Sequence, residues 1–186
     1  MQIEPTTLPD VVILTPRRFG DARGWFTETW NADRMREAGL DLSFVQDNHS
    51  FSAQRGTLRG LHYQAPPRAQ DKLVRCSRGA ILDVAVEARV GSPAYGHWVA
   101  VELSAENGRQ LLVPKGFLHG FITLTDDCEV QYKCTDVYAP QHDGAVRWDS
   151  AGIDWGNADT PILSDKDLAA PRFADWQSPF TYGEMA

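Results

Sequence analysis

His62 and Lys72 stand on either side of a proline turn, in the stretch Thr57-Leu-Arg-Gly-Leu-His-Tyr-Gln64, Ala-Pro-Pro, then Gln70-Asp-Lys-Leu-Val-Arg75. Histidine exchanges protons near neutral pH, and a lysine cation stabilises the oxyanion that forms when a proton is removed beside a carbonyl. In extended backbone side chains alternate, so His62 and Gln64 share a face with Leu58. On the next strand, Lys72 shares a face with Val74 and Cys76. A buried histidine with satisfied hydrogen bonds would give the same pattern, so these residues alone leave both readings open. Tyr132 lies on the apolar parity of Val130 and Cys134, while Glu129, Gln131 and Lys133 point the other way. It reads as an inward tyrosine, either a proton donor or a core residue with its hydroxyl tied to backbone.

Further polar groups fall where a core face would be apolar. Gln46, Asn48 and Ser50 alternate on one strand. Arg23, Arg59, Lys72 and Arg75 gather in or near the turns, and arginine forks match phosphate oxygens. Two or three of them converging would make a diphosphate site, whereas Arg75 and the helix arginines read equally well as solvated surface charges. On an ideal strand Arg59 and His62 face opposite ways, so both line one pocket only if Gly60 sits in a bulge. Pro114-Lys-Gly-Phe-Leu-His119 has the Pro-x-Gly-x-x-His form of the second motif of cupin barrels. The matching first-motif stretch, His62-Tyr-Gln64, lacks the second histidine, and a metal site needs three or four ligands. No metal is expected.

The elements that must hold these residues are mostly strands. Val11-Val-Ile-Leu14 is a short apolar strand, Phe19-Gly-Asp-Ala-Arg-Gly24 is turn chemistry, and Trp25-Phe-Thr-Glu-Thr-Trp30 is the strand it feeds. Asn31 or Asp33 caps a short helix through residues 34–38, which Gly39 stops. Strands are then predicted over 44–51, 58–64, 73–77, 80–87, 97–103, 110–113, 119–123 and 128–135. Ser77-Arg-Gly-Ala80 and Ala105-Glu-Asn-Gly108 read as hairpin-type connections. So many strands with so little helix imply an all-β sandwich or jelly-roll barrel. From Tyr138 onward, proline, glycine and tryptophan suggest a tail that wraps the barrel, with a last helical turn near 165–170. One domain over residues 1–186 is expected.

A net charge of −7 argues against a nucleic-acid or anionic-membrane surface, which would need a basic field. Cys76, Cys128 and Cys134 are odd in number and lack metal-finger spacing. The first residues have no signal-peptide pattern, and no apolar run approaches the roughly 20 residues that span a bilayer. A reduced, cytoplasmic protein is the simplest expectation.

Several longer motifs occur in order: Asp21-Ala-Arg-Gly-Trp-Phe-Thr-Glu28, Gln46-Asp-Asn-His-Ser50, Gly56-Thr-Leu-Arg-Gly-Leu-His-Tyr-Gln64, Lys72-Leu-Val-Arg75, Pro114-Lys-Gly-Phe-Leu-His-Gly-Phe121, Tyr132-Lys-Cys-Thr-Asp-Val-Tyr138 and Leu163-Ser-Asp-Lys-Asp167. Together, over residues 11–171, they closely resemble the dTDP-4-dehydrorhamnose 3,5-epimerase family, dimeric cupin-type jelly rolls of dTDP-L-rhamnose synthesis. The resemblance implies an all-β, cupin-type jelly-roll barrel with a few short helices. It also implies a dTDP-sugar substrate and no cofactor. His62 matches the family's general base, Asp167 its carboxylate partner, Tyr132 the general acid and Lys72 the cation at the C4 oxygen. Arg23, Phe26, Glu28, Gln46, Asn48, Arg59, His119 and Lys166 match nucleotide-sugar contacts, and Tyr138 the residue that stacks on thymine. Asp143 stands where the family often has glutamate, one methylene longer.

A 4-keto group acidifies the protons on C3 and C5, so both inversions need only a base, an enolate stabiliser and an acid on the other face. The rival readings are an epimerase that inverts only C3 or only C5, a metal-dependent cupin enzyme, and a non-catalytic sugar-binding barrel. A homodimer is expected. Val11–Leu14 has no evident hairpin partner, so pairing across a two-fold would cover an edge, and the resemblance implies that part of each site comes from the neighbouring chain.

Overall fold

A computed structural model describes residues 1–156 and 160–184. It contains thirteen strands: β1 (Gln2–Pro5), β2 (Val12–Thr15), β3 (Arg18–Asp21), β4 (Gly24–Thr27), β5 (Gln46–Ser52), β6 (Leu58–Gln64), β7 (Lys72–Arg78), β8 (Ala80–Glu87), β9 (Trp98–Ser104), β10 (Gln110–Val113), β11 (Phe117–Thr123), β12 (Cys128–Cys134) and β13 (Asp143–Ala145). Two short helices, α1 (Ala32–Glu37) and α2 (Asp165–Ala169), and one 3₁₀ turn complete it. Asn31 caps α1, its side chain accepting from the Arg34 N–H at 3.2 Å. Gly39, at φ +86°, ends it.

The strands form a six-stranded sheet, β1-β2-β10-β7-β12-β5, and a five-stranded sheet, β13-β6-β11-β8-β9, with β3 and β4 as a separate hairpin. Strand parity explains how the sheets pack. Val74, Leu111 and Val130 from the first sheet join Ile81, Ala85, Leu103 and Phe121 from the second in one buried cluster, the barrel interior. The opposite parity of the five-stranded sheet, including Leu61, Val84 and Leu118, is covered by Val146, Trp155 and Phe180 of the C-terminal tail. Outside the six-stranded sheet, Leu14, Leu73 and Leu112 pack under Met35 of α1. The architecture is the cupin-type jelly roll that the sequence predicts.

Four expectations need correction. β7 and β8 lie in different sheets, as do β9 and β10, so Ser77–Ala80 and Ala105–Gly108 are corners between sheets rather than hairpins. β6 and β7 likewise lie in opposite sheets, so Lys72 faces His62 across the barrel and does not enter from an adjacent strand. Third, β2 is not an open edge. β1 pairs along one side, with Ile3 opposite Leu14, and β10 along the other. Phe19–Gly24 is also more than a turn, because Phe19 pairs with Phe26 in a tight hairpin.

Candidate active site

The bulge that the sequence requires lies on β6. Arg59 pairs opposite Phe121 and His62 opposite His119, so three steps along β6 match two along β11. The extra residue restores a common parity, and both side chains line one pocket. Gly60 makes this local geometry feasible. Its φ is +136°, and a Cβ there would lie 2.5 Å from the Gly120 Cα and 2.9 Å from the His119 carbonyl oxygen.

The pocket has a volume of about 380 Å³ and opens between the two sheets. His62 forms part of the five-stranded wall. Its Nε2 lies 2.6 Å from Asp167 Oδ1, which fixes the ring and leaves the other nitrogen to take a proton. Asp167 sits in α2 and is only 2% exposed. Ser164 caps that helix and donates to Asp167 Oδ2 at 2.9 Å. Burial pushes the Asp167 carboxyl up, but hydrogen bonds from His62, Ser164 and the Gly60 backbone, with the His62 charge, hold it below its usual value.

Tyr132 and Lys72 form the facing wall, on neighbouring strands of the six-stranded sheet. Burial raises the Tyr132 phenol, so it stays protonated at neutral pH and is able to donate. Burial lowers the Lys72 ammonium, opposed by Cys134, Asp143 and Asp83. A desolvated cation of this kind interacts strongly with a negative charge that develops beside it.

His119 also faces the pocket, with Nε2 2.8 Å from Asp83 Oδ1. Asp83 was not singled out in the sequence, although an acid at inward parity in Ala80-Ile-Leu-Asp-Val-Ala-Val-Glu87 is a readable signal. It is fully buried, and its Oδ2 has no partner among the described residues. Ser50, which the alternation with Gln46 and Asn48 places on the polar inward face, also lines the pocket, and its Oγ is buried with no partner among the described residues.

The other sequence-derived residues divide into three groups. Lys166 lines the pocket and pairs with Asp143, whose carboxylate also accepts from the Tyr138 hydroxyl at 3.4 Å. Gln46 turns towards the same rim, accepting from the Tyr138 N–H at 2.8 Å. Asn48 donates to Cys134 Sγ at 3.6 Å and lines a neighbouring cavity beside Tyr132. Arg23, Phe26 and Glu28 are elsewhere. They belong to the β3–β4 hairpin and the residue after it, outside this pocket's lining, with Arg23 paired to Asp21 and Glu28 to Arg34. Phe26 is 69% exposed, Trp25 59% and Phe19 52%.

Among the described residues no group of three or more His, Cys, Asp or Glu side chains is placed to hold a metal ion. Cys76, Cys128 and Cys134 are free and buried. No helix among these residues is long and apolar enough to cross a membrane.

A barrel with a carboxylate-held histidine on one wall and a partly buried tyrosine and lysine on the other defines a cupin-type isomerase. The family model described as dTDP-4-dehydrorhamnose 3,5-epimerase matches residues 5–175, and the chain belongs to that family. A curated dTDP-4-dehydrorhamnose 3,5-epimerase from Sinorhizobium fredii is 48% identical over 98% of this chain and 94% of its own. The Legionella pneumophila dTDP-6-deoxy-D-glucose-3,5-epimerase, solved with dTDP-4-keto-L-rhamnose, superposes with a TM-score of 0.92 at 42% identity, covering 97% of each chain. A 3'-monoepimerase from Streptomyces bikiniensis, solved with dTDP-quinovose, has a TM-score of 0.87 at 36% identity, over 92% of this chain and 87% of its own.

Proposed function

We propose that this protein converts dTDP-4-dehydro-6-deoxy-D-glucose to dTDP-4-dehydro-L-rhamnose by inverting C3 and C5. His62 removes the proton from each carbon in turn, and the electron pair moves to the C4 oxygen as an enolate. Lys72 stabilises that oxygen. Tyr132 returns a proton to the opposite face, and the imidazolium and tyrosinate reset by exchange with solvent. Carbon ends at the oxidation state at which it began, so the reaction calls for no redox cofactor. The observation that carries this reading is the opposition of His62–Asp167 and Tyr132 across one pocket, with Lys72 beside the tyrosine.

Arg59 and His119 bind the diphosphate and sugar in this scheme, Lys166 and Asp143 close the rim, and the exposed Tyr138 ring stacks on the base. Arg23, Phe26 and Glu28 act in trans. Their hairpin carries exposed aromatic rings and does not line its own pocket, and in a homodimer it reaches the partner's. A cytoplasmic location suits three buried free thiols and a nucleotide-sugar substrate.

Incubation with dTDP-4-dehydro-6-deoxyglucose in deuterated water tests the reaction. Deuterium at both C3 and C5 of an L-configured product is the expected result. Label and inversion at C3 alone would make this a monoepimerase like the Streptomyces bikiniensis relative. Activity that tracks bound iron or zinc would favour a metal-dependent barrel.

A further inference from the structure

Gln64 ends β6, two residues beyond His62, and is only 5% exposed. A buried amide must find partners, and this one finds three, all backbone groups outside its own strand. Its Oε1 accepts from the Ala139 N–H at 2.8 Å. Its Nε2 donates to the Val137 carbonyl at 3.1 Å and to the Arg68 carbonyl. Residues 137 and 139 flank Tyr138, whose own N–H is taken by Gln46. Three consecutive residues are thereby fixed at the backbone while the ring between them remains 56% exposed.

An aromatic ring held out to solvent on an immobilised backbone is suited to stacking. A planar base that lands on it does not also have to order the loop, so less affinity is lost to conformational entropy. We infer that Gln64 is a positioning residue for nucleotide recognition: it presents the Tyr138 ring to the base, while His62 on the same strand serves the sugar. This rests on the reading above that Tyr138 stacks on thymine. It assigns Gln64 no part in proton transfer.

The test uses the full-length protein, with dTDP and inorganic pyrophosphate as competing ligands. Gln64→Met keeps the length of the side chain and removes all three hydrogen bonds. It should weaken dTDP binding and raise KM roughly tenfold, with kcat and pyrophosphate inhibition within about twofold of wild type. Gln64→Glu keeps the shape and the Ala139 acceptor but loses both donations, and should show the same split if methionine impairs folding. In a Tyr138→Ala background Gln64→Met should add less than about twofold, because both changes disable one platform. Unchanged dTDP affinity in a folded Gln64 variant, beside a loss in Tyr138→Ala, would overturn the inference and leave the stacking reading standing. Equal losses for dTDP and pyrophosphate, additive with Tyr138→Ala, would show a general structural role and also overturn it. A Tyr138→Ala protein that binds dTDP normally would instead remove the stacking reading, and the inference with it.

Discussion

Asp167 and Lys72 both have lowered pKa values, which favours the charged form of the carboxyl and disfavours that of the ammonium. The net effect on Asp167 is a lowered carboxyl, so the folded protein releases that proton more readily than the unfolded chain. Its contribution to stability is then complete above the unfolded carboxylate pKa and lost as pH falls through the folded one. Urea unfolding of native and Asp167→Asn proteins should differ by a constant amount above about pH 5, and the gap should shrink below about pH 4. A gap independent of pH would mean that the His62 contact does not set the carboxyl. Lys72 makes a kinetic prediction. Lys72→Met should lower kcat about 10²–10³-fold with a much smaller change in KM, as for loss of an oxyanion stabiliser; a steady-state assay showing only a raised KM would assign it to binding. Lys72 and Tyr132 were legible from parity, because each interrupts an inward apolar face; for His62 parity named the wrong neighbour, since the bulge turns Leu58 to the tail-covered face with Leu61. Asp167 was not legible, since no local pattern tells which distant carboxylate a tail brings to a histidine. Only the family resemblance named it.

Among the elements, β6 has the greatest influence on the site. The bulge at Gly60 is what places Arg59 and His62 on one wall, and the sequence stated that requirement without being able to meet it. Gly60→Ala would push a Cβ against the Gly120 and His119 backbone at a φ that L-residues rarely adopt. It should cost about 2–4 kcal/mol in urea unfolding, and activity should fall with it. A Gly60→Ala protein with native stability and activity would show that the strand tolerates another geometry. Strand positions were readable from alternation, but sheet membership was not. A glycine-containing corner between sheets, such as Gly79 at φ +76°, uses the same residues as a hairpin turn. β1 escaped notice because Gln2-Ile-Glu-Pro5 offers one large aliphatic side chain and a proline, and its pairing partner lies beyond a loop.

At the scale of the whole molecule, the β3–β4 hairpin decides whether one chain suffices. β2 is covered by β1, so the case for a dimer rests on a hairpin whose proposed substrate residues lie outside the lining of their own pocket. Complementation measures this directly. Arg23→Ala and His62→Asn proteins should each be impaired alone, and after mixing and subunit exchange should regain about a quarter of wild-type activity, since half the dimers carry one intact shared site. No recovery in a mixture that demonstrably exchanges subunits would place each site within a single chain. The central claim is that base and acid stand on opposite walls, and solvent exchange in the two catalytic variants tests it. His62→Asn should lose at least the ~10²–10⁴-fold due to a general base, and no deuterium should enter the substrate. Tyr132→Phe should still form the enolate and return the proton to the face it left, so that NMR finds deuterium in unepimerised substrate. Deuterium entering with His62→Asn and none with Tyr132→Phe would contradict the account.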